Sequence, residues 1–263
     1  MDQPIAFITG ATSGIGEATA RLLSHKYRLI LCGRRADRLA KLKSELAGDV
    51  TTLSFDVRNK DLVFEAIDSL PKDRKAIDVL VNNAGNAHGL DLIHEGNAND
   101  WDAMMDINVK GLLYVSKAII PGMVERKNGH IVNIGSIAGL EVYPKGNVYC
   151  ASKHAVDALT KGMRMDLNGM GIRVTSIDPG LVETEFSEVR FKGDKERSKQ
   201  VYKDYTPLKA IDVAETIEFA ISRPSHVMIG DILILPTDQA SSTIVNKKSK
   251  YVFIGNLSKR LFA

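Results

Sequence analysis

Three polar residues in the middle of the chain, Ser136, Tyr149 and Lys153, have types and spacing suited to proton transfer. Tyr149 and Lys153 are four positions apart, so on a helix they share one face. A free tyrosine has a pKa of about 10 and is a poor base at neutral pH, whereas a nearby ammonium lowers that pKa by stabilising the phenolate. The same spacing also occurs in ordinary surface pairs, so the interpretation depends on the elements that carry these residues.

Short apolar runs alternate with amphipathic helical patterns along the chain. The runs predict strands over residues 5–9, 29–32, 52–55, 79–81, 131–134, 174–177 and 232–235. Helical spacing follows several of them, and a long helix is predicted from near Tyr149. The pattern predicts an α/β fold: a single Rossmann-type doubly wound domain with a mostly parallel sheet of about seven strands and helices on both faces. Ser136 then lies at the carboxyl edge of that sheet, where ligands bind.

A glycine-rich turn stands between the first predicted strand and the first predicted helix, where residues 9–16 read TGATSGIG. Glycines there permit a tight turn and let backbone amides approach a pyrophosphate at the helix N-terminus. The spacing differs from the general G-x-G-x-x-G dinucleotide motif, and an ordinary glycine-rich turn is the alternative. The candidate cofactor-binding residues of this turn are Gly10, Thr12, Ser13, Gly14, Ile15 and Gly16.

The residues after the second predicted strand indicate which dinucleotide binds. An NAD-binding domain usually has an acidic residue here for the ribose 2′-hydroxyl, but this chain has Arg34 and Arg35. Guanidinium groups favour a 2′-phosphate, so the sequence predicts NADP; a solvated helix start is the alternative. Asp56 and Val57 are candidates for the adenine, and the small residues in the segment Asn83, Ala84 and Gly85 permit close approach to the cofactor.

Composition and charge narrow the class of protein. The 263 residues are 44% hydrophobic and 25% charged with a net charge of +3, which is typical of a globular domain. The two cysteines do not make a disulfide framework, and neither a signal peptide nor a membrane-spanning run is evident. We therefore expect a cytoplasmic protein that has no metal site and binds neither nucleic acid nor membrane.

The ordered set of motifs resembles the short-chain dehydrogenase/reductase family over residues 5–246. The set comprises the glycine-rich turn, Asn82-Asn83-Ala84-Gly85, Asn108, Ser136, Tyr149 with Lys153, and Pro179-Gly180. The resemblance implies Tyr149 as general acid/base, Lys153 as the residue that tunes it and binds the nicotinamide ribose, and Ser136 as the group that holds the substrate oxygen. It further implies a water-linked proton relay at Asn108. The residues implied to hold the nicotinamide are Pro179, Gly180, Val182 and Thr184.

Residues 146–149, 180–187 and 189–194 resemble a narrower branch, the NADP-dependent serine and 3-hydroxy acid dehydrogenases. That resemblance implies a homotetramer and substrates such as L-serine, 3-hydroxyisobutyrate, and 3-hydroxypropionate or malonic semialdehyde. Arg190 with Lys192 is our candidate anchor for the substrate carboxylate, because a planar guanidinium suits that group. We assign residues 1–248 to one NADP-binding domain with a substrate loop near residues 186–206, and residues 249–263 to a tail of unknown role.

Other functions remain open at this point. A reductase of other carbonyls, such as diketones, 3-ketoacyl groups or steroid-like compounds, would share every motif, because substrate loops diverge most. A non-catalytic NADP-sensing protein is a different class, but Ser136, Tyr149 and Lys153 are all present. A nucleic-acid binder would rest only on the small positive charge and the basic tail.

Overall fold

Seven of the nine strands in the described part of the chain form one parallel sheet. A computed structural model describes residues 3–247. The strands are β1 Ile5–Thr9, β2 Arg28–Gly33, β3 Val50–Ser54, β4 Ile77–Asn82, β5 Gly129–Ile134, β6 Ile172–Pro179, β7 Val182–Glu183, β8 Leu208–Lys209 and β9 Asp231–Ile234. The sheet order is β3-β2-β1-β4-β5-β6-β9, while β7 and β8 pair separately. This confirms the predicted doubly wound Rossmann-type fold.

Helices cover both faces of the sheet. They are α1 Gly14–Leu23, α2 Ala36–Glu45, α3 Lys60–Asp68, α4 Ala98–Met105, α5 Leu112–Arg126, α6 Asn147–Asp166, α7 Phe186–Arg190, α8 Lys195–Val201 and α9 Ala210–Ile221. Alternate residues of β1 enter different cores: Phe7 packs with residues of α3 and α5, and Ile8 packs with residues of α1, α2 and α9. Strands buried on both faces explain the near-continuous apolar runs in the sequence.

The order of the strands reverses between β1 and β4, and this switch point positions the site. Connections from these two strands leave in opposite directions, which opens a crevice at the carboxyl edge of the sheet. Gly10 and Gly14 follow β1 with φ of +65° and +56°, a backbone region that favours glycine. The predicted phosphate turn therefore lies at the crevice.

The longest helical segment, residues 98–126, was not assigned from the sequence. α4 and α5 are joined by a π-helical turn over Asp106–Gly111. We expected no membrane-spanning segment, yet this helix is long and apolar enough to cross a membrane by length and composition alone. Val115, Ile119 and Met123 are buried in the core of the domain, and the core helix of a soluble protein can pass the same test.

The segment near residues 186–206, which we predicted to be a substrate loop, contains two short helices. α7 ends at Arg190, and α8 follows after Asp194, whose side chain accepts a hydrogen bond from Arg197 N. The segment then leads to β8, which pairs with β7 beside the crevice. The tail predicted over residues 249–263 lies outside the described residues.

Acid should destabilise the fold through His130. This side chain is buried in β5 beside Thr175 Oγ1, 2.8 Å away, and burial lowers its pKa from 6.5 to about 3. Between these values the unfolded chain binds a proton that the folded chain does not, so stability falls as pH drops below 6.5. From pH 7 to pH 5 we expect this residue to remove roughly 2 kcal/mol of unfolding free energy.

Urea denaturation at pH 7 and pH 5 measures the effect of His130. The variant His130→Asn, which cannot titrate there, should lose correspondingly less stability over the same pH interval. An equal loss in the wild type and in the variant would show that other groups cause the acid sensitivity.

Candidate active site

Most of the predicted site residues line one cavity of about 290 Å³ at the carboxyl edge of the sheet. The predicted residues that line it are Gly10, Thr12, Ser13, Gly14, Ile15, Arg34, Arg35, Asp56, Val57, Asn83, Ala84, Gly85, Ser136, Tyr149, Lys153, Pro179, Gly180, Val182 and Thr184. Four others, Gly16, Asn108, Arg190 and Lys192, do not line it. The cavity is also lined by Glu185, Phe186 and Val189, which belong to the branch motifs but were not predicted as site residues.

The glycine-rich turn is tied to the end of β4 by Asn83. Its Nδ2 donates to Thr9 O at 2.9 Å, and its backbone N–H donates to Thr9 Oγ1 at 2.9 Å. Gly16 stands behind the turn, where a Cβ atom would lie 2.5 Å from Gly10 O. Gly16 therefore acts through close packing of α1 against the turn, while Gly10 and Gly14 border the cavity itself.

Ser136, Tyr149 and Lys153 meet where β5 and α6 adjoin. All three are buried, and Lys153 Nζ donates to Ile134 O at 2.9 Å. The ring of Phe186 packs edge-on against Tyr149 with 5.6 Å between centroids. The lysine is therefore held by the last residue of β5, and an aromatic ring from α7 shields the tyrosine.

Burial sets the protonation of this cluster. It raises the pKa of Tyr149 well above its usual value of 10, and the Ser136 hydroxyl acts in the opposite direction. Burial also lowers the pKa of Lys153 to about 8, against the attraction of Asp178. At neutral pH, Tyr149 carries a proton that it can donate, and Lys153 is still mostly an ammonium. The arrangement can exchange a proton with an oxygen placed against Tyr149.

Asp178 is a buried carboxylate that sequence reasoning missed. Its Oδ1 accepts from Ser136 N at 3.2 Å and from Ser176 Oγ at 2.9 Å. A Cβ at Gly135 would lie only 1.9 Å from the same oxygen, so glycine is needed at that position. Burial raises the pKa of Asp178 to about 6. Its only sequence signal was an acid directly before Pro179, which is too common to identify a role.

Asn108 lies behind the cavity, in the π-helical turn. Its Oδ1 accepts from Asn86 N at 2.8 Å, and its Nδ2 donates to Asn86 O at 2.8 Å and Ser152 Oγ at 3.0 Å. A Cβ at Gly85 would lie 2.9 Å from Asn108 Oδ1 and 3.7 Å from Lys153 Nζ, so both side chains approach the same glycine. π-turns of this kind are frequent at functional sites.

The two arginines after β2 differ in their surroundings. Arg34 is 55% exposed, and its ion pair with Asp56 spans 3.8 Å. Arg35 donates to Thr12 Oγ1 and Ser13 Oγ, each at 2.9 Å, and pairs with Glu185 at 3.0 Å. Asp56, which we predicted to meet the adenine, also accepts from Arg58 at 2.7 Å. The cavity mouth is thus lined by guanidinium groups, one of which is bound to the turn.

Arg190 and Lys192 are separated by the fold. The Arg190 guanidinium lies 5.6 Å from the Tyr149 ring centroid, donates to Gly89 O at 3.1 Å and donates to Tyr143 Oη at 3.0 Å. Lys192, 60% exposed, pairs instead with Asp100 at 2.9 Å. Lys192 therefore faces a carboxylate of α4, and Arg190 is the cation whose guanidinium lies beside the Tyr149 ring.

Comparison with known proteins gives consistent results. Residues 4–195 match the short chain dehydrogenase family. The chain is 46% identical over 238 residues to an NADP-dependent 3-hydroxy acid dehydrogenase of Salmonella typhi, covering 90% of this chain and 96% of the relative. It is 44% identical over 242 residues to sulfoacetaldehyde reductase 2 of Chromohalobacter salexigens, covering 90% and 96%.

A solved structure agrees with these relatives. The closed form of a serine dehydrogenase complexed with NADP+ superposes with a TM-score of 0.89 at 42% identity, covering 93% of this chain and 100% of the other.

Proposed function

The chain belongs to the short-chain dehydrogenase family and is an NADP-dependent oxidoreductase, and from this premise we propose that its substrate is a small 3-hydroxy acid that reacts at C3. The observation that carries the proposal is the guanidinium of Arg190 beside the ring of Tyr149. A group that binds an anion next to a group that exchanges a proton suits a molecule with both a carboxylate and a hydroxyl. L-Serine, 3-hydroxyisobutyrate and 3-hydroxypropionate have that form.

In this proposal Ser136 and Tyr149 act on the reacting oxygen. For oxidation Tyr149 would first give its own proton to the water-linked relay at Asn108. It would then take the hydroxyl proton while Ser136 holds the oxygen by a hydrogen bond, and the hydrogen of the same carbon would leave as a hydride. Bound NADP supplies the hydride acceptor, or, as NADPH, the donor. In the reverse direction Tyr149 returns its proton to the carbonyl oxygen, and its raised pKa suits it to this role.

Lys153 and Asn108 would support the proton transfer. The Lys153 ammonium, which donates to Ile134 O, would favour the phenolate form of Tyr149 and would bind the nicotinamide ribose, as the family resemblance implies. Asn108 would continue the path through a water-linked relay, since its side chain already approaches Gly85 beside Lys153. The remaining cavity residues would hold the cofactor as the sequence predicts, with the turn after β1 on the pyrophosphate and residues 179–184 at the nicotinamide.

Replacing Arg190 tests the carboxylate anchor. Arg190→Ala should raise KM for L-serine or 3-hydroxypropionate by about 10- to 100-fold, because a charge-assisted hydrogen bond contributes about 1.5–3 kcal/mol. KM for an uncharged secondary alcohol should change little. Lys192→Ala is the matched control, since Lys192 pairs with Asp100, and it should resemble the wild type.

Equal losses of Arg190→Ala on charged and uncharged substrates would contradict the anchor. They would show that Arg190 mainly ties the loop at Gly89 to α7 through its bond to the carbonyl oxygen.

Cofactor choice is tested at Arg34. We expect Arg34→Asp to weaken NADPH binding by at least about tenfold and to improve NADH binding, because the carboxylate repels the 2′-phosphate and can accept from a 2′-hydroxyl. Fluorescence titration of both reduced cofactors measures the change. If the variant kept the wild-type preference for NADPH over NADH, the assignment of the 2′-phosphate to Arg34 would be wrong.

A panel assay decides the substrate class. NADP reduction is measured with the three 3-hydroxy acids and simple secondary alcohols, and NADPH oxidation with sulfoacetaldehyde, diketones and 3-ketoacyl compounds. The 44% identity to a sulfoacetaldehyde reductase supports sulfonated aldehydes as a second candidate, since a sulfonate would meet the same guanidinium. Preference for an uncharged carbonyl would overturn both.

We also propose that the enzyme is a cytoplasmic homotetramer. Apolar side chains are exposed on α9 and β9, including Phe219 at 50% and Leu233 at 48%, and β9 is an edge strand. Such surfaces commonly become covered by a second subunit. Light scattering during size-exclusion chromatography should give four times the mass of the chain.

A further inference from the structure

A carboxylate of the chain itself occupies the arginine cluster at the mouth of the cavity. Glu185 lies between two guanidinium groups, with Oε2 at 3.0 Å from Arg35 Nη1 and Oε1 at 2.7 Å from Arg38 Nη1. Glu185 lines the same cavity as the glycine-rich turn and the catalytic cluster. An anion held by two planar cations is the arrangement by which proteins also bind phosphate.

Arg35 is held in place on the side opposite Glu185. Its Nη2 donates to Thr12 Oγ1 and Ser13 Oγ in the glycine-rich turn, which leaves Nη1 for the carboxylate. Arg38, one helical turn further along α2, was not a sequence candidate. Its pairing partner shows that α2 contributes a second cation to the same anion position.

We propose that Glu185 is a specificity-determining residue that stands in for the cofactor's 2′-phosphate and competes with it for Arg35 and Arg38. This inference rests on the proposed placement of the 2′-phosphate at the arginines after β2. The phosphate must displace the carboxylate, so Glu185 lowers affinity for NADP and NADPH and leaves affinity for NAD and NADH unaffected. The three side chains are each about 40% exposed, so water screens the competition and its effect is moderate.

Both sequence neighbours of Glu185 contact other parts of the site. Its neighbour Thr184 approaches Gly14 of the turn, where a Cβ would lie 3.3 Å from the threonine. Its other neighbour, Phe186, packs on Tyr149. Displacement of Glu185 therefore acts on a segment that contacts both the phosphate turn and the catalytic tyrosine, and weaker cofactor binding favours exchange after each turnover.

The experiment compares Glu185→Gln with the wild type in equilibrium titrations with 2′,5′-ADP, 5′-ADP, NADPH and NADH. The amide keeps the size of the side chain and removes its charge. We expect the variant to bind 2′,5′-ADP and NADPH about fivefold more tightly, and 5′-ADP and NADH within about twofold of the wild type. The control is Glu183→Gln, two positions earlier, whose carboxylate pairs with Lys209, and it should match the wild type.

Four outcomes would overturn the inference. Weaker binding of 2′,5′-ADP by Glu185→Gln would show that the carboxylate positions the arginines for the phosphate. Unchanged binding, or an equal change for 5′-ADP, would show no competition. If the wild type bound 2′,5′-ADP no better than 5′-ADP, both the inference and the proposed phosphate site would be wrong. If the wild type clearly preferred 2′,5′-ADP but Glu185→Gln changed nothing, only the inference would be wrong.

Discussion

Tyr149→Phe is expected to lower kcat by about 10²- to 10⁴-fold and to leave NADPH affinity nearly unchanged. The substitution keeps the buried ring that packs on Phe186 and removes the hydroxyl to which we assign the proton exchange. Tyr143, the tyrosine nearest in sequence, accepts a hydrogen bond from Arg190 at its hydroxyl and does not line the cavity. Burial also keeps Tyr149 protonated at neutral pH, so reduction of a carbonyl depends directly on that proton.

The measurement combines steady-state kinetics with NADPH fluorescence titration. Tyr205→Phe is the matched control, because Tyr205 is also buried but its hydroxyl donates to Val201 O outside the cavity. It should retain wild-type kcat. If Tyr149→Phe kept more than about a tenth of the wild-type kcat, a different group would have to be the acid.

Gly16→Ala should weaken NADPH binding by roughly 5- to 150-fold. The new Cβ would lie 2.5 Å from Gly10 O and 2.5 Å from Asn83 Nδ2, so the backbone of the phosphate turn must move. Overpacking of this kind costs about 1–3 kcal/mol, and here the displaced atoms belong to the turn that would hold the pyrophosphate. Isothermal titration with NADPH measures the loss of binding affinity, and thermal unfolding of the apoprotein measures the loss of stability.

The control for this substitution is Gly162→Ala. Gly162 lies in α6, and a Cβ there meets no atom within 4 Å. It should leave NADPH affinity unchanged and raise stability slightly, since alanine favours a helix by up to about 1 kcal/mol over glycine. A comparable loss of affinity in both variants would mean that the clash at Gly10 is not the cause.

The strands could be predicted from the sequence because consecutive positions along each of them are buried. Residues 5–8 and 29–32 are apolar on both faces in the sequence, and both lie inside the predicted parallel sheet. Helix boundaries and insertions could be predicted less well from the sequence. The helix over residues 98–126 has a wide apolar surface, and a π-turn interrupts its regular period, so no clean pattern marked it.

Several motif residues could be predicted to share one site because sheet topology imposes it. Ser136 follows β5, Asn83 follows β4 and Gly10 follows β1, and the carboxyl ends of parallel strands meet at one edge. Tyr149 and Lys153 share a helix face through their spacing. These arrangements need only the helix period and a parallel sheet, both of which the sequence predicts, whereas the order of the strands came from the structure.

The sequence by itself therefore determined the Rossmann-type fold, the crevice and the side-chain types available to it, whereas the tertiary structure decided the partners of the charged groups. Lys192 pairs with Asp100, and Glu185 reaches Arg35 across 150 positions. Such pairs depend on how α2, α4 and α7 pack around the cavity, and no local pattern encodes the distance between two exposed charges. The role of a flexible charged side chain therefore depends on which oppositely charged group the fold places near it.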